Sequence, residues 1–246
     1  MDREAQQDLR ELVQLKLAHS QPEGVVVFSA EFSGDQSLAA RQALIKILQL
    51  QRAKQPVPKP GFELNLSDKI NSSTKELYKH QSEQDPRQDF NHSKLPKLDE
   101  SRFPYRLTSG ELVSFSHSRA RVLVAIASPK YTKLGVDTEL KPVNQKLAER
   151  FFTKSELQVL KSAQDRQGVT SPELLRQTAW MIKEAHGKAA GLSLFTAIAS
   201  DLSPVLTEAL SGLDQPHHSA HGGWTATHGG LSFAGNWCDH WALCIE

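Results

Sequence analysis

The sequence predicts an α+β fold, on three observations. Several short segments ("VVVF", "LVSF", "RVLVAIA", "LGVDTEL") are rich in β-branched and apolar residues and read as strands. Others, such as "SLAARQALIKILQLQ" and "SPELLRQTAWMIKEAHGKAAG", carry apolar residues at helical spacing. The two kinds are interspersed without the regular alternation of a βαβ series, which argues against a parallel α/β sheet.

The bulk numbers narrow the classes of function. With 246 residues, of which 39% are hydrophobic and 23% charged, the chain is an ordinary globular protein able to bury a sizeable core. Its 29 basic and 28 acidic residues leave a net charge of +1, so no nucleic acid or membrane partner is expected, although a local basic site for a small anion is compatible with that balance. The longest apolar runs, Val122–Ala127 and Val25–Phe28, are too short to span a bilayer. The start "MDREAQQDLRELVQL" lacks the apolar region of a secretory signal. Cys238 and Cys244 do not make a disulfide framework, and a reducing cytoplasm is the expected location.

Taken in order, Leu9, Leu12, Val13 and Leu17 predict an amphipathic helix. "GVVVFSAEF" predicts a strand after Gly24. "SLAARQALIKILQLQ" predicts a helix with Leu38, Leu44, Ile45 and Leu48 inward and Asp35 or Ser37 as its N-cap. Residues 51–103 are polar and proline-punctuated, and read as a long insertion. "LVSF" and "RVLVAIA" predict paired strands with Ser116, His117 and Ser118 near their turn, and "LGVDTEL" predicts another short strand. Thr153 and Glu156 match a capping box, so a helix starts near Thr153. Ser171-Pro172-Glu173 and Gly191 bound a further helix. "LSFAGNW" and "HWALCIE" read as closing strands.

The candidate chemistry lies in these later segments. Asp137 and Glu139, two apart on a strand, project from one face. Close carboxylates raise each other's pKa unless a cation lies between them, and hard oxygen donors suit Mg²⁺. A hydrated strand end is the commoner meaning of such a pair. Trp180, Glu184 and Lys188 recur every four residues along one helix face, with Lys183 to the side. Taken alone, Glu184 and Lys188 are a surface pair, with Trp180 anchoring the helix in the core. His117 between two serines offers donors to an anion, but is equally an ordinary surface histidine. The tail histidines (His217, His218, His221, His228, His240) with the two cysteines do not match the spacing of a closed zinc site.

Read together and in order, "SFSHS", "LGVDTEL", "RFFTKSEL" and "WMIKEAHGKAAG" resemble the 4′-phosphopantetheinyl transferase superfamily, over Phe115 to Leu194. Gly135, Val136 and Asp137 match its strand motif, and Trp180, Lys183, Glu184 and Lys188 its helix motif. Glu139 and the Ser116–Ser118 segment point to the Sfp-like, single-chain branch, although the Gly-Lys-Pro element usual upstream in that branch is missing.

The resemblance implies a pseudo-dimer of two similar α+β halves, here residues 1–125 and 126–246, with the active site in the cleft between them. It implies transfer of 4′-phosphopantetheine from coenzyme A to a serine of an apo carrier protein, giving holo carrier and adenosine 3′,5′-bisphosphate. By resemblance, Asp137, Glu139 and Glu184 hold Mg²⁺, with Mn²⁺ as a substitute, and Glu184 also takes the serine proton. Lys188 stabilises the pyrophosphate, while Lys183, His117, Ser116 and, in the first half, Arg41 or Arg52 contact coenzyme A. Partners are coenzyme A and carrier domains of fatty-acid, polyunsaturated-fatty-acid, polyketide or peptide synthases, and the chain is expected as a monomer. The competing readings are a Mg²⁺-dependent phosphohydrolase or nuclease, and a carrier-binding protein without catalysis.

Overall fold

The computed structural model describes residues 11–15, 22–32, 34–52, 96–166, 171–211 and 222–246. Most of the polar stretch 51–103, together with Leu9, Leu17, His217, His218 and His221, lies outside them. Among the described residues the fold is α+β, as the sequence predicts, with two antiparallel sheets and helices packed on them.

In chain order the first sheet contains β1 (Glu11–Gln14), β2 (Val25–Glu31), β3 (Leu98–Asp99), β4 (Tyr105–Leu107), β5 (Leu112–Ser118) and β6 (Arg121–Ala127). Their spatial order is β1-β2-β6-β5-β4-β3, and helix α1 (Gln36–Arg52) follows β2. The second sheet contains β7 (Leu134–Thr138), β8 (Gly223–His228), β9 (Leu231–Asn236) and β10 (Trp241–Ile245), in the order β7-β10-β9-β8. Between β7 and β8 come α2 (Gln145–Phe151), α3 (Lys154–Gln164), α4 (Pro172–Ala190), α5 (Leu194–Ala199) and α6 (Ser203–Ser211).

The orders β2-β6-β5-β4 and β7-β10-β9-β8 repeat one pattern. In each, the first strand leads into helix and pairs with the last strand, and a meander completes the sheet. No sequence repeat announces this, because strand order depends on which edges meet and not on residue identity.

Two sequence expectations are corrected here. The helix expected from Leu9, Leu12, Val13 and Leu17 is, over Glu11–Gln14, a strand pairing with Phe28–Glu31 of β2. Pairing satisfies the exposed backbone groups of β2's edge, and that long-range gain overrides the weak local periodicity. In α1 the buried face is Ala39, Ala40, Ala43, Leu44, Ile47 and Leu48, whereas Leu38 and Ile45 are 47% and 37% exposed. The alanines let the helix lie close to the sheet, against Phe28, Val122, Val124 and Ile126. Asp35 supplies the cap, its Oδ1 accepting from the Leu38 N–H at 2.9 Å.

The local helix signals hold. Thr153 and Glu156 form a reciprocal capping box on α3. Ser171 caps α4 with Pro172 at its first position, and Gly191 closes it in the left-handed region (φ 64°). A third apolar cluster joins the two sheets: Val27, Leu112 and Leu123 of the first meet Leu134, Val136, Trp241 and Leu243 of the second. That contact fixes β5 against β7.

Candidate active site

Strand β7 and helix α4 approach each other more closely than side chains normally permit. A Cβ at Gly135 would come 1.9 Å from the Ala185 carbonyl oxygen and 2.6 Å from the Ala189 nitrogen. Only glycine tolerates that separation. The approach brings Lys188, one turn beyond Glu184, to the strand, where its Nζ donates to Asp137 Oδ1 at 2.7 Å and to the Val136 carbonyl at 3.1 Å.

On its other side β7 meets β5. Ser116, His117 and Ser118 lie within β5 and not at the turn, which falls at Arg119 (φ 52°) and Ala120. Ser116 and Ser118 are buried and His117 is exposed, as strand alternation requires. The Ser116 hydroxyl donates to Asp137 Oδ1 at 2.7 Å and that of Ser118 to Glu139 Oε1 at 2.6 Å.

These elements enclose a cavity of about 400 Å³. Asp137, Glu139, Glu184, Lys188, Ser116 and His117 all line it, and Arg41 reaches it from α1. Of the eight site residues expected from sequence, seven therefore meet in one cleft. Arg41 is paired there with Glu100, its Nε donating to Oε1 at 2.9 Å. Arg52 ends α1, with its side chain outside the described ones.

The eighth residue is a correction. Lys183, expected to grip phosphates, points away from the cleft and is fully buried. Its Nζ donates to Glu156 Oε1 and Oε2 at 2.6 and 2.7 Å and to the Ser200 carbonyl at 2.7 Å. One helical step separates it from Glu184, and that rotation carries it to the α3–α5 side of α4. Trp180 is corrected in part: it is half-buried against the core but also lines the cleft, edge-on to Phe151 at 6.0 Å.

The electrostatics are those of crowded acids. Burial pushes the Asp137 carboxyl up, and the Lys188 ammonium and Ser116 hydroxyl pull it back. Glu184 is pushed up to about 7, first by burial and then by the charges of Asp137 and Glu139, with Lys188 opposing. Three carboxylates thus face a cleft whose cations, among the described residues, are Lys188, already on Asp137, and Arg41, already on Glu100.

Among the described residues, no group of three or more His, Cys, Asp or Glu closes into a metal-binding cluster. The expected trio shares a cavity without converging, since Asp137 is drawn to Lys188 and the other acids repel one another. Its chemistry nonetheless fits a hard divalent cation. Among the described lining residues three acids outnumber two cations, the donors are oxygens, and Mg²⁺ characteristically takes one or two carboxylates and completes its shell from water and substrate phosphates. Asp137 and Glu139 each use only one carboxylate oxygen, Oδ1 and Oε1, in hydrogen bonds among the described residues.

Sequence reasoning missed several lining residues. Phe103, Tyr105 and Phe115 form an aromatic wall, with ring centroids 4.5 Å apart for the first pair and 5.8 Å for the second. No motif marks them. Ser118 was read in the sequence only as part of the Ser116–Ser118 segment, because its bond to Glu139 depends on the facing strand.

Comparison with known families agrees with this geometry. The model of the 4′-phosphopantetheinyl transferase superfamily matches residues 133–230, from the start of β7 into the second sheet. No curated protein matches the chain.

Proposed function

Because residues 133–230 match the model of the 4′-phosphopantetheinyl transferase superfamily, we propose that this chain is a Mg²⁺-dependent holo-[carrier-protein] synthase of the single-chain, Sfp-like kind. It transfers 4′-phosphopantetheine from coenzyme A to a serine of an apo carrier protein and releases adenosine 3′,5′-bisphosphate. The observation that carries the reading is that Asp137, Glu139, Glu184 and Lys188 all line one cavity of about 400 Å³. The repeated strand order supports two similar halves, near residues 1–125 and 126–246, with the cavity where β5 and α1 of the first face β7 and α4 of the second.

Asp137, Glu139 and Glu184 are the residues that would hold the divalent ion. When bound, it neutralises and orients the pyrophosphate, lowering the cost of bringing a nucleophile to an anion. The chain's own groups do the rest. Glu184, which lines the cavity beside Asp137, is placed to take the proton of the carrier serine, directly or through water. The serine oxygen attacks the phosphorus of the pantetheine-bearing phosphate, and the bond to the bisphosphate oxygen breaks. Lys188 stabilises the charge that collects on that leaving oxygen. His117 and Arg41, both facing the cavity, contact coenzyme A phosphates, and the Phe103–Tyr105–Phe115 wall offers an apolar face to the rest of the cofactor.

The test is incubation with coenzyme A, Mg²⁺ and several apo carriers, read by intact-protein mass spectrometry. The expected result is a gain of one phosphopantetheine on a carrier, lost in Asp137→Ala and Glu184→Ala. Full activity in either variant refutes the site assignment. Cleavage of coenzyme A without transfer to any carrier would favour a phosphohydrolase.

A further inference from the structure

Strand β7 is the edge of its sheet, and it lies against the face of β5 and not beside its edge. Among the described residues, its outward N–H groups have no strand to pair with. Three serines supply the missing acceptors: Ser114 Oγ accepts from the Val136 N–H at 3.1 Å, Ser116 Oγ from Thr138 at 3.2 Å and Ser118 Oγ from Leu140 at 2.9 Å. Side chains two apart on β5 thus match N–H groups two apart along β7 and the two residues that follow it, and a ladder of hydroxyls stands in for a backbone ladder.

A hydroxyl that accepts with a lone pair still has one proton to give. Among the described residues Ser114 donates to no acid, and it serves only as a latch. Ser116 and Ser118 spend theirs on Asp137 Oδ1 and Glu139 Oε1, at 2.7 and 2.6 Å. Each is therefore held from two sides, by an N–H and by a carboxylate of the same segment, Val136–Leu140, and each in turn fixes which carboxylate oxygen is occupied. Asp137 Oδ2 and Glu139 Oε2 are the oxygens left for a ligand in the cleft.

We propose that Ser116 and Ser118 are positioning residues that orient the Asp137 and Glu139 carboxylates toward a divalent cation, while Ser114 performs the latch alone. Their duty lies in holding these acids and not in gripping coenzyme A. The inference rests on the reading of Asp137 and Glu139 as cation ligands. Groups that hydrogen-bond to metal ligands typically account for about 10–100-fold in metal affinity.

The test uses the full chain with coenzyme A present and Mn²⁺ as the probe, counting free Mn²⁺ by electron paramagnetic resonance, with thermal melting alongside. Ser116→Ala and Ser118→Ala are expected to weaken Mn²⁺ binding by about tenfold or more. Ser118→Thr, which keeps the hydroxyl, is expected to restore binding. Ser114→Ala, which removes the same kind of N–H acceptor, should lower the melting temperature but leave Mn²⁺ affinity unchanged. The proposal is overturned if the Ser116 and Ser118 alanine variants bind Mn²⁺ as the wild type does, or if Ser114→Ala weakens binding as much as they do. A wild-type chain that binds no Mn²⁺ in the presence of coenzyme A overturns the cation-site reading itself, a result the variants cannot mimic.

Discussion

Gly135 lies directly beneath Ala185, so close that a methyl group at 135 would sit 1.9 Å from the Ala185 carbonyl oxygen. That single contact sets the distance between β7 and α4, and through it the reach of Lys188 to Asp137. The obstructing atoms are backbone and cannot swing aside. Gly135→Ala is expected to cost about 1–3 kcal/mol of stability through overpacking. Because relief requires α4 to move off β7, transfer activity should fall further than the stability loss explains when assayed well below the melting temperature. Wild-type activity in a folded Gly135→Ala protein would contradict the role given to this contact.

Lys183 and Glu156 are both fully buried, and the Glu156 carboxylate also accepts from the Thr153 and Leu202 N–H groups at 2.8 and 2.9 Å. The pair ties α3, α4 and the start of α6 together. Removing one partner leaves an unpaired charge inside the protein, and Lys183→Met is expected to cost about 3–5 kcal/mol in denaturant unfolding. The double variant Lys183→Met/Glu156→Gln, with no net charge left behind, should recover a large part of that loss. A Lys183→Met protein as stable as the wild type would show that the ion pair contributes nothing.

The Glu184 carboxyl, pushed from its ordinary 4.5 up to about 7, makes stability depend on pH in a definite direction. A raised carboxyl means that the fold favours the protonated form, so its contribution is whole below 4.5 and is lost as pH rises through about 7. The metal-free chain should therefore melt at a lower temperature at pH of about 8 than of about 6, and Glu184→Gln should flatten that dependence. Protons and cations compete for the same oxygens, so added Mg²⁺ should raise the melting temperature more at the higher pH. An equal Mg²⁺ effect at both values, or the same pH dependence in Glu184→Gln, would count against Glu184 as the titrating ligand.

Most of what is local in this protein can be read along the chain. The Thr153–Glu156 capping box, the Ser171-Pro172 start and the Gly191 stop each satisfy backbone groups within a few residues, so identity and spacing suffice to find them. The order of the strand and helix motifs was likewise enough to bring the superfamily into view, and seven of the eight expected site residues do line one cleft.

What resisted reading depends on partners distant in sequence. Glu11–Gln14 became a strand because the edge of β2 was there to be paired. Alanines in place of Leu38 and Ile45 face the core in α1 because the sheet beneath allows a close approach. Lys183 and Glu184 are neighbours in sequence with opposite duties, and only the positions of Glu156 and Asp137 decide which of them faces the cleft. By itself the sequence determined the chemical kinds of the site residues and the helices and strands that carry them. The tertiary structure alone decided that, among the described residues, β7 would have no neighbouring strand on its outer side, so that serine hydroxyls take the place of backbone acceptors and hold two acids as they do so.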